Sequence, residues 1–363
     1  MAHIQKRGDR WQARYRDPTG KEHTKRFERK VDAQRWLDAI AGDVVRGTYV
    51  DPAAGRRTFG DYAGEWQAAQ VHRATTAAQV ESNLRNHVLP TFGDRALASI
   101  RPSEVQAWVK GRAAVLGSAT VEVVYRYLVA IFRAVDDRVI AVSPCKGIKL
   151  PRQERRQVVP LATEQVQALV EAMPDRYRAL VVVAAGTGLR QGEAFGLTLP
   201  HVDFLRRSLR VEQQLVLLPG RPPYLAPPKT EASRRTVPLP EVVLRALAGH
   251  LAAFPSGDDG LIFTNVKGAP ISRTRFNDVW ARAVRAAELP AGTHFHELRH
   301  YYASLLIRHG ESVKVVQARL GHASANETLN TYAHLWPDSE DRTRQAVDDV
   351  LGAASPAVSL AAE

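Results

Sequence analysis

The sequence predicts a multidomain protein in which a small β-sheet-plus-helix domain, an all-α domain and a mixed α+β domain follow one another. Three observations predict this order: alternating polar and apolar residues near the start, helical periodicity from residue 58 to about 140, and mixed helix and strand patterns after residue 161. A chain of 363 residues is long enough for two or three such domains.

The first domain is predicted to span residues 1–50 and is strongly basic. Its first thirty residues contain ten Lys or Arg and four acids. WQARYR and KEHTKRF flank the turn residues DPTG, which indicates a hairpin, and VDAQRWLDAIAGDVV follows with helical spacing. Basic side chains with Trp11 and Tyr15 interleaved favour DNA contact over a merely solvated sheet face. The expected DNA contacts are Arg14, Arg16, Lys25 and Arg26.

The second domain is predicted to be helical over residues 58–143, after a linker at 46–57 that contains Pro52 and Gly55. Four helical patterns follow one another there. In the last pattern, apolar residues recur at three- and four-residue steps, which places them on one face: Val121, Val124, Leu128, Phe132 and Val135. We therefore expect a compact four-helix domain.

A basic segment, residues 143–160, joins the second domain to the third. It contains three prolines and five Lys or Arg against one acid, which argues against a helix. Two interpretations stay open at this point, a strap along an anionic surface and a solvated linker. In the first interpretation the DNA contacts are Lys146, Lys149 and Arg152.

The third domain is predicted at residues 158–351, with a disordered tail at 352–363. ATEQVQALVEAMP and RYRALVVVAAGTG have helical patterns, whereas SLRVEQQLVLL, RRTVPLP and LIFTN favour strands. The remainder returns to helix and ends in an amphipathic segment at 335–351. No internal repeat indicates a solenoid.

The composition favours a polyanionic partner. Fifty Lys and Arg against 38 Asp and Glu give a net charge of +12, and the pI is near 10.0, which favours nucleic acid over a membrane surface. The lone Cys145 excludes an internal disulfide, fits a reducing compartment and is expected to be a packing residue. The start lacks the apolar run of a signal peptide, and no stretch approaches the ~18 apolar residues of a membrane span. We expect a cytoplasmic, nucleoid-associated protein.

Residues suited to handling a phosphate group recur in five short motifs. Arg190 and Glu193 lie three apart in GTGLRQGEAFGL, where two glycines end one helix and the next begins. Lys229 lies in PPKTEASRRTVPLP, at the mouth of a polar loop. HFHELRH, LGH and NTYAH follow and supply His296, Arg299, His322 and Tyr332.

HFHELRH also contains H-E-x-x-H, a pattern that on a helix places two imidazoles for zinc with a glutamate as general base: His296, Glu297 and His300. The metzincin extension fails, because Ala303 and Leu306 stand where glycine and histidine are needed. A later glutamate, Glu311 or Glu327, stays open as a third ligand. The zinc pattern explains neither the net charge nor the other motifs.

These motifs, in this order over about 150 residues, resemble the tyrosine recombinase, or phage integrase, family. The resemblance implies that Tyr332 attacks a DNA phosphate surrounded by five side chains: Arg190, Lys229, His296, Arg299 and His322. It also implies an arm-type DNA-binding domain at 1–50, a SAM-like core-binding domain at 58–143 and a catalytic domain at 158–351. The spacing from His322 to Tyr332 is ten residues, where many relatives have nine.

The chemistry of these residue types agrees with that role. A phenol has a pKa of ~10, so the site must remove its proton before the oxygen attacks. Two guanidiniums suit forked contacts to the non-bridging oxygens, which favours Arg190 and Arg299. Lys229, desolvated beside arginines, would protonate the departing 5′ oxygen. His296 is the expected base or proton relay and His322 a phosphate donor, although the sequence does not separate those two roles.

No metal or other cofactor is required, because cationic side chains do the charge work that magnesium does in other phosphoryl transfers. Glu193 is expected to orient Arg190 or to cap its helix. Tyr301 and Tyr302 are expected to be core or support residues, and His334 is expected to stack or snorkel. These three residues are the first to test if Tyr332 is misassigned.

By resemblance, the partners are double-stranded DNA attachment sites and further copies of the chain, which form a homotetramer and exchange strands in pairs. The arm domain favours an integrase of a prophage or other mobile element over a chromosome-dimer resolvase. Such an integrase implies a host DNA-bending protein and an excisionase, and segment 335–351 could pack on a neighbouring copy. Two alternatives remain, a catalytically inactive DNA-binding relative and an H-E-x-x-H zinc hydrolase.

Overall fold

The computed structural model describes residues 2–51, 53–153, 157–257, 260–336 and 340–352. The chain divides into two compact units, residues 1–154 and 155–363. The first unit contains a small sheet with one helix and a group of further helices, and the second mixes helices with short strands. These features confirm the predicted multidomain fold class.

The first unit begins with a three-stranded antiparallel sheet of β1 (His3–Arg7), β2 (Arg10–Arg16) and β3 (Glu22–Phe27), in that order. Helix α1 (Lys30–Val45) covers one face of it. The predicted hairpin between β2 and β3 is confirmed. It turns because Asp17 accepts hydrogen bonds from the backbone N–H groups of Thr19 and Lys21, and because Gly20 adopts a φ of +88°.

Two aromatic residues that suggested DNA contact belong instead to the small core under α1. Tyr15 is 4% exposed, and Trp11 packs half-buried in the same apolar cluster. Along β2 they alternate with the basic residues, and they pair with His23 and Phe27 of β3 on the covered face. The interleaving therefore reflects the two faces of one strand, and the aromatic part of the argument for DNA contact was wrong.

The rest of the first unit is helical: α2 (Phe59–Ala69), α3 (Ala74–Asn83), α4 (Leu89–Phe92), α5 (Pro102–Ala113) and α6 (Ser118–Ile131). A π-helical turn links α3 to α4, and Pro90 lies in the first turn of α4, where its missing N–H is tolerated. The predicted apolar face of α6 is buried at Val121, Val124, Leu128 and Phe132. The Val135 side chain lies outside what the structure describes.

The basic segment after α6 is not helical where it is described, as its prolines imply. Its backbone is tied to the helices: the Lys149 N–H donates to the Gln106 side chain, and the Tyr125 hydroxyl donates to the Cys145 carbonyl, both at 2.8 Å. Cys145 packs against the helical core, where burial raises the pKa of its thiol to about 12. Residues 154–156 of the segment lie outside the described part of the chain.

The second unit contains these helices: α7 (Thr163–Ala172), α8 (Asp175–Thr187), α9 (Gln191–Phe195), α10 (Glu241–Ala253), α11 (Arg273–Ala286), α12 (Glu297–Arg308), α13 (Val313–Leu320), α14 (Ala325–Tyr332) and α15 (Glu340–Val347). Its strands are β4 (Val202–Asp203), β5 (Ser208–Val211), β6 (Gln214–Val216), β7 (Tyr224–Ala226) and β8 (Arg235–Pro238). They form a β4-β5-β8 sheet and a β6-β7 hairpin. Helix α8 contacts α7, α10 and α12 and is apolar on most sides, because it lies at the centre of the unit.

The predicted strand LIFTN is not a strand. Its residues make two isolated bridges, from Leu261 to Thr198 and from Thr264 to Pro270. Leu261, Ile262 and Phe263 are almost fully buried, so the apolar run reflects an extended connection through the core and not a sheet ladder.

The end of the chain is described only in part. The tail predicted at 352–363 lies outside the described residues from 353 onward. Helix α15 and the π-helical turn after it carry exposed apolar side chains at Val347, Val350 and Leu351. Within the described ranges, no helix is long and apolar enough to cross a membrane.

Candidate active site

The turn that ends α8 places Arg190. Gly188 closes the helix in the left-handed region with φ +66°, and a Cβ there would lie 2.5 Å from the Tyr302 ring. Arg190 is then the residue before α9, and its side chain is partly exposed. Position 188 therefore requires glycine for two reasons: the positive φ disfavours other residues, and the Tyr302 ring leaves no room for a Cβ atom.

Glu193 orients Arg190 and caps the helix, as the sequence predicted. One carboxylate oxygen accepts from the Arg190 backbone N–H and the other from its guanidinium, both at 3.0 Å. Arg235, which the sequence analysis missed, bonds the same buried carboxylate at 2.9 Å. Burial acts to raise the pKa of Glu193, but Arg235 and Arg190 outweigh it and the pKa is lowered. The carboxylate is thus a fixed anion between two cations.

Arg299 lies in the first turn of α12 and is 2% exposed. Its guanidinium donates to the carbonyl of Gly188 at 2.8 Å and to that of Leu320 at 2.5 Å. Burial lowers the pKa of Arg299 to about 9, with Arg190 and Arg235 contributing, and the group stays a cation at neutral pH. The two bonds join the ends of α8 and α13 around one buried positive charge.

His322, just after α13, and Tyr332, at the end of α14, lie face to face. Gly321 ends α13 with φ +65°, and the Nδ1 atom of His322 lies 2.8 Å from the Thr328 hydroxyl. The His322 and Tyr332 rings stack with centroids 6.4 Å apart and planes 10° from parallel. Burial, together with the nearby arginines, lowers the pKa of His322 to about 3, so its ring is neutral. Burial raises the pKa of Tyr332 to about 12.

His300 is the residue that the sequence analysis missed as a partner of Tyr332. Its Nδ1 atom lies 2.8 Å from the Tyr332 hydroxyl oxygen. His296, the expected base, lies just before α12, and its ring meets that of His300 edge to face at 4.8 Å. His300 had been considered only as a zinc ligand. The signal that could have found it was its place one turn beyond His296.

The zinc interpretation does not fit this arrangement. His300 faces the Tyr332 phenol, and His322 lies beside the Glu327 carboxylate at 3.8 Å. Within the described ranges, one group of three residues could hold a metal ion, and it lies elsewhere: Asp17, His23 and Asp51. There the Lys21 ammonium already contacts Asp51 at 2.9 Å.

Lys229 is not brought into the cluster. It lies in the loop after β7 and is exposed, so the desolvation expected for it is not present in the structure. Strand β7 ends at Ala226, and of the two prolines that follow, Pro228 is buried, whereas the next residue, Lys229, is exposed.

The neighbouring residues have supporting positions. Tyr301 is buried, and its hydroxyl donates to Thr163 at 3.2 Å. Tyr302 is buried against Gly188. His334 bonds the Val158 carbonyl through Nε2 at 2.8 Å.

The expected DNA contacts of the first unit lie at the surface but not on one face. Arg14, Arg16 and Arg26 point to the open face of the sheet, where Arg14 is half-buried and paired with Glu22. Lys25 is on the other face, with its ammonium 5.3 Å from the Phe27 ring. Lys146, Lys149 and Arg152 are exposed on the basic segment.

Comparison with known proteins bears directly on this cluster. Three family models match the chain. The model described as "Phage integrase family" matches residues 160–338, "Phage integrase, N-terminal domain" matches 4–46, and "Phage integrase, N-terminal SAM-like domain" matches 58–111. A prophage phiRv2 integrase of Mycobacterium tuberculosis is 30% identical over 339 residues, which cover 90% of this chain and 88% of that protein. The chain belongs to the phage integrase family. It is a site-specific DNA recombinase of the tyrosine type, as the motifs predicted.

Two solved structures share the fold of this recombinase. The integrase of transposon Tn1549, in complex with a circular intermediate DNA, is 22% identical with a TM-score of 0.69, and the match covers 81% of this chain and 99% of that one. A lambda integrase tetramer bound to a Holliday junction is 19% identical with a TM-score of 0.59, over 89% of this chain and 96% of that one.

Proposed function

We propose that this recombinase integrates a prophage or other mobile element, and excises it, through a covalent bond between Tyr332 and a DNA 3′ phosphate. One observation carries the proposal: the Tyr332 side chain is 1% exposed, its hydroxyl lies 2.8 Å from Nδ1 of His300, its ring stacks on that of His322, and the charge of Arg299 favours the phenolate. A phenol at the surface would need no such surroundings. A protein–phosphate ester keeps the energy of the broken phosphodiester bond, so the strands rejoin without an energy source.

Arg190 and Arg299 are proposed to hold the non-bridging phosphate oxygens. Each guanidinium has five N–H groups, more than its contacts to Glu193, Ser233 and backbone carbonyls use. Those contacts fix the orientation of each group before DNA binds, and preorganised donors stabilise charge as it develops in the transition state. The fixed Glu193 carboxylate lets Arg190 and Arg235 lie close together.

His322 is proposed to donate a third hydrogen bond to the phosphate. If the Thr328 hydroxyl donates to Nδ1, the neutral ring carries its hydrogen on Nε2, which lies 3.8 Å from the Glu327 carboxylate, too far for a hydrogen bond, and can donate to a phosphate. The lowered pKa of His322 supports a neutral ring at physiological pH. His296, at the exposed edge of the same cluster, is proposed to line the phosphate on the DNA side.

Lys229 is proposed to be the general acid that protonates the departing 5′ oxygen. Its loop follows the β6-β7 hairpin, and bound DNA would have to bring the ammonium to the phosphate and desolvate it. Catalysis by this set needs no metal, because arginines and lysine supply the positive charge.

The domain roles are proposed as predicted: residues 1–50 bind arm sites, and residues 58–143 and 158–351 bind the core site. Proposed phosphate contacts are Arg14, Arg16, Lys25, Arg26, Lys146, Lys149 and Arg152. Such contacts make affinity fall steeply with salt. A nucleoid location, a host DNA-bending protein and an excisionase belong to the same proposal.

A homotetramer on two DNA sites is also proposed, by analogy with the lambda integrase tetramer. The exposed Val347, Val350 and Leu351 would then pack on a neighbouring copy. Changing all three to serine should reduce recombination while leaving the binding of one protomer to a half-site intact. Equal loss of recombination and binding would count against this role.

The proposed chemistry is tested by trapping. A nicked attachment-site duplex releases a short strand after cleavage, so a covalent protein–DNA adduct accumulates and is seen on a denaturing gel, with a chelator present. Tyr332→Phe should bind DNA and form no adduct, whereas the buried control Tyr301→Phe should form it. Salt-sensitive DNA binding without an adduct under any condition would favour an inactive relative. Peptide cleavage that the chelator abolishes would favour the zinc hydrolase.

A further inference from the structure

The hydroxyl of Tyr332 has no open route for its proton into water. The side chain is 1% exposed, and its oxygen lies 2.8 Å from Nδ1 of His300. A buried phenol whose pKa is raised to about 12 stays protonated at neutral pH. The proton must therefore pass to a protein group before or while the oxygen attacks phosphorus.

The other two imidazoles of the cluster are less well placed for this transfer. The His322 ring lies parallel to the phenol ring, and its Nδ1 atom is engaged by Thr328. His296 meets the ring of His300, 4.8 Å away, and not the phenol. Geometry decides first which group can be the base, because proton transfer needs hydrogen-bond distance.

We propose that His300 is the general base for Tyr332, and that His296 continues the route from the buried phenol to the surface. The proposal rests on the function proposed above for Tyr332. Exposure rises along this route, from the buried Tyr332 through the half-buried His300 to the exposed His296.

The proton of the Tyr332 hydroxyl moves to Nδ1 of His300, the phenolic oxygen forms a bond to phosphorus, and the bond from phosphorus to the 5′ oxygen breaks. The 5′ oxygen leaves with a proton from Lys229. In the rejoining step the 5′ hydroxyl attacks, its proton returns to Lys229, and the Tyr332 oxygen leaves with the proton held by His300.

The charges around His300 suit a base that acts only when DNA is bound. Burial lowers the pKa of His300 to about 4, and His296, Arg299 and His322 add to the effect. The ring is therefore neutral in the free protein, and in the tautomer that carries its hydrogen on Nε2 the lone pair of Nδ1 faces the phenol and can accept its proton. A phosphodiester anion beside Arg299 would offset the positive charge of that guanidinium and make His300 a stronger base at the moment it is needed.

The test changes the base without removing the hydrogen-bond acceptor. In His300→Asn, the amide oxygen can occupy the place of Nδ1 but does not take up a proton. We expect single-turnover cleavage of a nicked attachment-site duplex to slow by about 10²- to 10⁴-fold with DNA affinity unchanged. The matched control is His309→Asn, at the exposed end of the same helix, which should cleave at the wild-type rate.

A second measurement separates a base from a merely structural residue. Replacing Tyr332 with a fluorinated tyrosine, whose phenol ionises at lower pH, should restore much of the rate lost in His300→Asn. If His300→Asn does not fold, His300→Ala with added imidazole replaces it, and the rate should rise with imidazole concentration. Tyr332→Phe is run alongside in each series.

The outcomes are distinct. Wild-type cleavage by His300→Asn, or a slow variant that neither the fluorinated tyrosine nor imidazole accelerates, overturns the assignment of His300. Adduct formation by Tyr332→Phe overturns the function of Tyr332 itself. The assignment is supported if Tyr332→Phe forms no adduct, His300→Asn cleaves slowly, and the more acidic phenol restores the cleavage rate of His300→Asn.

Discussion

The Glu193 carboxylate and the Arg235 guanidinium form a buried ion pair at 2.9 Å, in which each side chain is less than 5% exposed. The same carboxylate also holds Arg190. A pair of this kind fixes geometry more than it adds net stability, because both groups lose their hydration. Because Arg235 lies in β8, the pair connects the β4-β5-β8 sheet to Arg190, which is proposed to bind phosphate.

Removing the charge of Glu193 should destabilise the second unit. Glu193→Gln leaves Arg235 buried without its anion, so we expect the free energy of unfolding to fall by on the order of 3 kcal/mol in urea titrations. The matched control is Glu231→Gln, which breaks the exposed pair with Arg234 and should cost less than about 1 kcal/mol. Equal effects of the two changes would contradict the structural role of the buried pair.

Acid should destabilise the β1-β2-β3 sheet by protonating the Asp17 carboxylate. Hydrogen bonds from Thr19 and His23 hold the pKa of Asp17 far below its usual range. A depressed pKa contributes stability that is present above the unfolded-state pKa of ~3.9 and is lost as pH falls below it. Unfolding of the first unit, followed through amide exchange of β2 and β3, should become easier below about pH 4.

Asp17→Asn is the control for that pH dependence. It should be less stable than wild type at pH 7 and should lose less stability on acidification. The free energies of unfolding of the two proteins should therefore converge at low pH. Parallel pH profiles for the two proteins would show that another group governs acid unfolding.

The open face of the sheet predicts which basic residues govern arm-site binding. Arg26→Ala should weaken binding to arm-site DNA and reduce the salt dependence by about one counterion. Lys25→Ala is the comparison, and we expect it to weaken binding less than Arg26→Ala does, because the Lys25 side chain lies over aromatic rings on the helix side of the sheet. Measuring affinity against salt concentration for both variants checks this, and a greater loss from Lys25→Ala would reverse the assignment of faces.

The sequence was most informative where periodicity or motif spacing reports local geometry. The β2-β3 hairpin and the buried face of α6 followed from residue spacing alone, because these patterns arise within one element. LIFTN was misassigned because burial makes a connection apolar whether or not it pairs as a strand. Trp11 and Tyr15 were misread because alternation along a strand does not show which face a domain covers.

The sequence predicted part of the candidate site but not its pairing: it missed Arg235 and His300, and it placed Lys229 among the buried groups. Arg299 and Tyr332 are 33 positions apart in sequence, and only the packing of α12 against α14 and the end of α13 determines which imidazole reaches the phenol. The motif order favoured His296 as the base near Tyr332, whereas His300 is the imidazole within hydrogen-bond distance of the phenol. Lys229 was expected to be desolvated, but desolvation depends on surfaces that a loop meets in three dimensions.

The most direct measurement is the mass of the peptide that carries DNA after cleavage. Adduct trapped on a nicked attachment-site duplex is digested with protease and nuclease, and the linked residue is located by fragmentation. We expect a nucleotide phosphate on the oxygen of Tyr332. A phosphate on Tyr301 or Tyr302, or on any side chain other than Tyr332, would contradict it.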